Sequence, residues 1–404
     1  MEKAKQIMAN KLIWIGLIGV VAVIFIMGLA QLGSSSNPVP KNLPVAVVML
    51  DKEVQLPNGQ SLAIGNLILQ QVTAAPAEGT DAPLKWEVLG SVDEALAGLD
   101  AREYYSVLVL PDNLSANVAS LLSPSPQAAT IKAYVNQGMN TTGANMASQV
   151  ITKIGESVNH HLREQLLETI KAQGDSLNTA QAALLASPIA IQAETVHPVP
   201  AHSANGNAPV AFTILAWFGA IIASVLTTLA IGKLRSANRL GNAGLIAVQA
   251  IIGLLYCAAA LGATLLLAKS TLGMSIENIG NFSVYFALVC YSFFFLQTCL
   301  LNWLGMKGMP IVILIFFFGS PILGLPSQML PAFSQNWLYS WIPLRFGAET
   351  LRESLYFGGA SLSSSSTTTL VISAAVAFVL SLIAASALPY RAASKAVPAE
   401  ETTV

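Results

Sequence analysis

Apolar residues gather in six long uncharged runs along this chain, at 12–32, 209–231, 243–268, 282–304, 309–325 and 370–390. Crossing the hydrocarbon core of a bilayer takes about 20 predominantly apolar residues in a helix. Each run therefore predicts a transmembrane helix, the fifth being the shortest, with Pro310 and Pro321 near its ends. Between the first two runs the pattern changes. PVAVVML at 44–50 is β-branched and bounded by Pro44 and Asp51, which reads as a strand. A helical stretch at 61–73, a short strand at 85–89, a helix at 91–99 and a strand at 104–110 follow. Pro111-Asp112-Asn113 then opens another helix, with Asp112 placed to cap free backbone N–H groups. A strand is predicted at 129–135. From 143 to 173 the apolar positions Met146, Val150, Ile154, Val158, Leu162, Leu166 and Ile170 recur every four residues, one face of a long helix. A last strand covers 189–196.

Strands alternating with helices predict an α/β domain with a mostly parallel or mixed sheet. The fold class that follows is an α-helical membrane protein with six transmembrane helices and an extracytoplasmic α/β domain inserted between helices 1 and 2. Residues 1–32 form a short N-terminus and the first span, 33–208 the outer domain, 209–390 a five-helix membrane domain and 391–404 a tail. The Pro/Gly/Ser/Asn-rich stretches at 33–44 and 198–209 are the linkers.

Composition supports this division. The chain of 404 residues is 54% hydrophobic and only 10% charged, against roughly a quarter charged in soluble domains. Residues 33–208 hold eight Lys and Arg and fifteen Asp and Glu, an ordinary soluble balance. The net charge of −1 excludes a basic nucleic-acid binder. Cys257, Cys290 and Cys299 all lie in apolar runs, which excludes a disulfide-stapled scaffold. The first run follows Lys3, Lys5 and Lys11 as a signal peptide would, but it exceeds the usual apolar length of about 7–15 residues and reads as a retained anchor. Lys233, Arg235, Arg239, Lys307, Arg391 and Lys395 join the three N-terminal lysines on one side. The short loops opposite hold only Lys269, Arg345 and Arg352. The positive-inside rule then puts both termini in the cytoplasm and 33–208 outside a cell membrane.

The chain offers little chemistry. The runs contain no Asp, Glu, Lys, Arg or His, which argues against an ion-driven carrier with intramembrane carboxylates. No G-x-x-x-x-G-K-[ST] loop and no hydrolase motif is present, so neither catalysis nor a bound cofactor is expected. His160 and Glu164 share a helix face but read as a solvated pair rather than a metal site. The triplets headed by Asn113, Asn140 and Asn281 fit an N-x-[ST] pattern that chance produces often. Two segments stand out. The basic loop 232–241 carries Lys233, Arg235 and Arg239, either as a simple anchor or as a docking element for a cytoplasmic partner. The outer segment 330–359 is rich in aromatics and holds Pro343, Arg345, Glu349, Arg352 and Glu353. A headgroup-level aromatic belt is one reading of it. The other is one or two short helices closing the outer end of the bundle, with Glu349–Arg352 or Glu353–Arg345 pairs.

Several stretches together resemble the YhgE/Pip family (phage-infection-protein-like) within the ABC-2 type permease group. They are 45–51, the run Tyr104-Tyr105 through Pro111-Asp-Asn-Leu-Ser115, Ala133-Tyr134-Val-Asn136, the Pro209 to Gly219 approach to the second span with Trp217, Leu330-Pro331-Ala-Phe333, and Ile342-Pro343 with Leu351-Arg352. The long coiled-coil insert of larger members is missing, so a role carried by that insert is not implied. The resemblance implies an exporter's permease subunit that works in pairs, as a homodimer or beside a second permease, with a separate cytoplasmic ABC ATPase. The competing reading is a surface receptor or assembly scaffold anchored by its helices. The topology has a direct check: a cysteine introduced near Ser115 is labelled from outside intact cells, and labelling only after permeabilisation overturns it.

Overall fold

A computed structural model describes residues 39–56, 59, 61–73, 81–173, 177–235 and 238–387. The expected first span at 12–32 and the tail at 391–404 lie outside these residues.

The α/β domain follows the sequence pattern closely. Strand β1 (Leu43–Met49) leads through a small hairpin, β2 (Val54–Gln55) and β3 (Ser61–Leu62), into α1 (Ile64–Thr73). Then come β4 (Leu84–Leu89), α2 (Val92–Asp100), β5 (Ser106–Leu110), α3 (Leu114–Ser120), β6 (Ala129–Asn136), α4 (Thr141–Gln173), α5 (Thr179–Leu185) and β7 (Ile189–Val196). The five-stranded sheet has the order β4-β1-β5-β6-β7. β4, β1 and β5 run parallel, β6 is antiparallel to β5, and β7 is parallel to β6. The sheet is therefore mixed. Because side chains alternate across a strand, β1 serves two cores at once. Val45 and Val47 pack with α1, α3 and α4, whereas Ala46 and Val48 pack with α2.

Two short elements escaped the sequence pattern, the hairpin and α5. The second is held by a capping box in which Asn178 and Gln181 satisfy each other's backbone. The expected cap at Asp112 is replaced by another. Asp112 makes a loose surface pair with Lys52 at 3.8 Å. Asp51 instead accepts from Gly65 N at 2.8 Å, Ser115 N at 2.8 Å and Ser115 Oγ at 2.6 Å, while Ser115 Oγ accepts from Ile64 N at 2.8 Å. One carboxylate at the end of β1 thus ties the starts of α1 and α3 together. Ser115 is fully buried by this arrangement, so the neighbouring exposed Ala116 is the position to label in the topology test.

The bundle consists of α6 (Ala208–Gly232), α7 (Arg239–Leu265, prolonged by a π turn over Leu266–Thr271), α8 (Ile279–Leu304), α9 (Met309–Gly319), α10 (Pro343–Tyr356) and α11 (Ser365–Ala387). Among the described residues, four stretches are long and apolar enough to cross a membrane: Ala208–Gly232, Arg239–Thr271, Ile279–Ile322 and Ser365–Ala387. The fifth expected span is not a separate long helix. α9 has 11 residues and would reach about 16 Å, half a hydrocarbon core. It follows α8 through a 3-10 turn at Gly305–Gly308, where Gly305 adopts φ 62. The chain still runs from one end of the bundle to the other here. Asn302 accepts from Arg235 at the end remote from the domain, and Gly324 O accepts from Asn140 of the α/β domain. The core of the bundle is aromatic, with Trp217, Phe282, Phe286, Phe293 and Phe294 fully buried. All three cysteines are free.

The two aspartates separate cleanly by mutation. Asp51→Asn should destabilise the folded chain by about 2 kcal/mol, since it weakens two helix caps at once. Asp112→Asn should change stability by less than about 0.5 kcal/mol, as expected for an exposed pair. Thermal unfolding of the two variants in detergent checks this, and equal effects would contradict the assignment.

Candidate functional site

The site starts with the end of α2. Its last turn closes by Arg102 N donating to Leu99 O at 3.1 Å and Glu103 N donating to Gly98 O at 2.8 Å. That hydrogen-bond pattern puts a residue in the left-handed region, usually glycine. Here it is Arg102, at φ 63. The left-handed backbone costs a side-chain-bearing residue about 1–2 kcal/mol. The Asn136 carboxamide, donating to Leu99 O at 2.8 Å, holds the same turn.

The conformation aims Arg102 at α10. Its Nη1 donates to Glu349 Oε2 at 2.8 Å, and its Nη2 donates to Glu353. Arg352 pairs with Glu349 one turn along the same helix. Arg352 and Glu353 are 5% and 7% exposed, so these charges are largely out of water. Beside them the Arg102 guanidinium lies 5.6 Å from the centre of the Phe357 ring, which His197 stacks on at 4.4 Å. His197 Nε2 in turn pairs with Asp100 Oδ1 at 2.8 Å. Burial opposes ionisation of Glu349, but the guanidiniums of Arg352, Arg102 and Arg345 outweigh it and hold its carboxyl below the usual range. Burial pushes the Tyr339 phenol up to about 12 and keeps Tyr105 neutral well above its ordinary range.

Of the sequence-predicted outer residues, Arg345, Glu349 and Arg352 line one pocket of about 280 Å³, together with Arg102, Tyr105 and Tyr339. The i,i+3 pair Glu349–Arg352 forms as expected. Glu353 pairs with Arg102 rather than with Arg345, whose guanidinium lies 4.7 Å from the Tyr339 ring and 4.5 Å from Phe346. Pro343 opens α10 and faces elsewhere. It lines a second cavity of about 420 Å³ among the bundle helices, with Trp217, Gln297, Ile315 and Val376. That cavity is largely apolar, with Gln297 and Ser373 as the polar side chains of its lining, and the buried Nε1 of Trp217 has no hydrogen-bond partner. α10 is no helix lying loosely on a surface, because most of it is buried against α6, α8 and α11. A Cβ at Gly347 would meet Phe293 at 2.8 Å and Val289 at 3.1 Å, so glycine is what lets α10 sit this close.

The basic loop at the far end divides. Lys233 and Arg239 are exposed, alongside exposed Leu234 and Leu240. Arg235 turns inward, its Nη2 donating to Asn302 Oδ1 at 3.2 Å. Asn302 Nδ2 donates to Gln249 Oε1 at 3.1 Å, and Gln249 Nε2 donates to the hydroxyls of Thr227 and Thr228. One helical turn further along α6, Ser224 Oγ donates to Gln297 Oε1 at 3.2 Å. A seam of neutral polar side chains therefore runs through the helices, within runs that carry no charged residue. His160 and Glu164 sit 3.7 Å apart on an exposed face, and among the described residues no three metal-ligating side chains gather. Asn140 and Asn281 serve as structural ties, Asn140 to Gly324 and Asn281 to Ser354 and Ala360.

With this geometry in view, comparison with known proteins adds three findings. The family described as "Protein of unknown function (DUF3533)" matches residues 21–371. The "Uncharacterized protein YhgE" of Bacillus subtilis (strain 168) is 28% identical over 128 residues, which cover 32% of this chain and 16% of that protein. The YhgE-like resemblance read from the sequence is thus supported. No solved structure matches.

The junction carries two linked predictions. Arg102→Gly relieves the left-handed turn while removing the ion pairs, so α2 should keep its amide hydrogen-exchange protection while α10 loses it. Loss at α2 instead would make Arg102 a purely local residue. Glu349→Gln should lower stability by about 2–3 kcal/mol, between the values for exposed and buried pairs. A depressed carboxyl stabilises the fold above the ordinary glutamate range, and that contribution disappears as pH falls through the folded value. Wild-type thermal stability should therefore drop on acidification below that range, and Glu349→Gln should lack this part of the drop.

Proposed function

The chain belongs to the DUF3533 family, and we propose that it is a membrane permease subunit of the ABC-2 type, moving a hydrophobic or amphipathic substrate outward. One observation carries this reading. The first turn of α10 stands between two cavities, with Pro343 lining the apolar one in the bundle and Arg345 the polar one beneath the α/β domain. The wall of the apolar cavity includes Ile372, Val376 and Leu380, all exposed on the outside of the bundle, so a lipid-soluble molecule could reach it from the side. An anchor for a receptor or scaffold needs one span and has no use for such a wall.

In this reading the α/β domain lies outside the cell, both termini inside, and the membrane part comprises six crossings counting 12–32 and 309–325. Pro343, Arg345, Glu349 and Arg352 form the outer gate. Energy comes from a separate cytoplasmic ATPase, and two permease copies, identical or not, complete the path. Lys233 and Arg239, with the exposed leucines between and beside them, dock the ATPase. Arg235 is assigned instead to the interior seam.

Affinity purification from native membranes tests the proposal. The wild-type chain should bring down an ATPase. Lys233→Ala with Arg239→Ala should lose it while keeping insertion and orientation, because Arg235 is retained. Recovery of no ATPase with the wild type would remove the energy source and with it the reading.

A further inference from the structure

Arg345 is the unspent charge of the junction. Arg102 and Arg352 are matched by Glu349 and Glu353, and the pocket of about 280 Å³ is lined by three guanidiniums and the one carboxylate of Glu349. No carboxylate lies within salt-bridge distance of Arg345 among the described residues, and its buried Nε has no hydrogen-bond partner. The rings of Tyr339 and Phe346 lie against the guanidinium, which also lines the pocket. Ser327, Ser365 and Ser366 add hydroxyl groups to the same lining. A guanidinium held by aromatic rings, without a carboxylate partner and with hydroxyls beside it, is the chemistry that recognises a phosphate group.

The approach to Arg345 indicates depth. Phe333, Trp337 and Trp341 are all more than half exposed and follow one another at four-residue spacing, which continues to Arg345 itself. Exposed tryptophans on a membrane protein settle at the headgroup level. Phosphates are the anions found at that level. The pocket of about 280 Å³ has room for a phosphodiester with its glycerol, and acyl chains would lie along the aromatic stripe outside.

We propose that this pocket binds a phosphate-bearing anion through Arg345, either as the headgroup of an outer-leaflet phospholipid or as free phosphate. The assignment is independent of the permease reading, since binding is measured without any transport step.

The test uses the full chain purified in an uncharged maltoside detergent, at constant ionic strength. Thermal unfolding is followed against rising concentrations of dihexanoylphosphatidylglycerol and, separately, of inorganic phosphate. A ligand that binds only the folded state raises the midpoint in a saturable way. Loss of a charge-assisted contact weakens binding by about tenfold or more. Arg345→Gln should therefore need at least about tenfold more ligand for the same relative shift, with Arg345→Lys between it and wild type. The concentration dependence is compared within each variant, so a change in intrinsic stability does not mimic the effect. Saturation by phosphate at similar concentrations identifies the free anion as sufficient, and saturation by the lipid alone identifies the headgroup. Absence of saturable stabilisation by both probes in wild type, or an unchanged concentration dependence in Arg345→Gln, overturns the proposal.

Discussion

A guanidinium removed from water must find a carboxylate, and Arg102 and Arg352 find theirs only on α10. Arg102 comes from the α/β domain and the two glutamates from α10, so Arg102 and Glu353 are matched only when the two halves are docked, whereas Arg352 meets Glu349 within the helix. Such a network adds little net stability, because desolvation cancels much of the attraction. It is strongly directional all the same. Removing one partner leaves another charge buried and unmatched, and that penalty selects one docked arrangement over its neighbours. The Phe357 ring, held between Arg102 and His197, adds an apolar clamp at the same point.

Much of the α/β domain was legible because its signals are local. The β-branched run after Pro44 and the four-residue spacing from Met146 to Ile170 each describe a surface that has to be buried, and both elements form where the pattern puts them. The misses have equally physical causes. A two-residue strand such as β2 has too few positions to show alternation. The cap expected at Asp112 was argued from adjacency to a helix start, whereas Asp51 reaches two helix starts from 14 and 64 residues away. The 309–325 run is apolar enough for a span, but hydropathy does not register that Gly305 and Gly308 let it follow directly on α8.

The candidate site was half legible for the same reason. Glu349 and Arg352 lie one turn apart and were paired on spacing alone. Arg102 lies 247 residues from Glu349, in a turn where the hydrogen-bond pattern favours glycine, and nothing local marks it. In retrospect the one available signal was negative: a helix end with an arginine where a glycine would relieve the backbone. Arg235 shows the converse error. Its sequence neighbours are exposed cations and spacing alone groups it with them, but the acceptor that claims it is Asn302 on another helix. Neutral amides inside apolar runs deserved the weight given to charges, since in hydrocarbon they too need partners.

The position of α10 joins these strands of the argument. Its first turn separates the apolar cavity from the polar pocket, and the same helix carries both glutamates that hold Arg102. Gly319 brings the end of α9 against Ile342 and Leu344 at this turn, and Gly347 brings α10 against Phe293 and Val289. With contacts this close, interiors do not deform continuously but shift between discrete packings. Joining the two cavities requires the first turn of α10 to move. If α10 moves as a unit, either the end of α2 travels with it or the ion pairs break and expose the cost of unmatched charge. The cavity wall and the docking of the α/β domain therefore share one coordinate. A ligand that prefers one docked state of the domain would bias the wall by its difference in affinity for the two states.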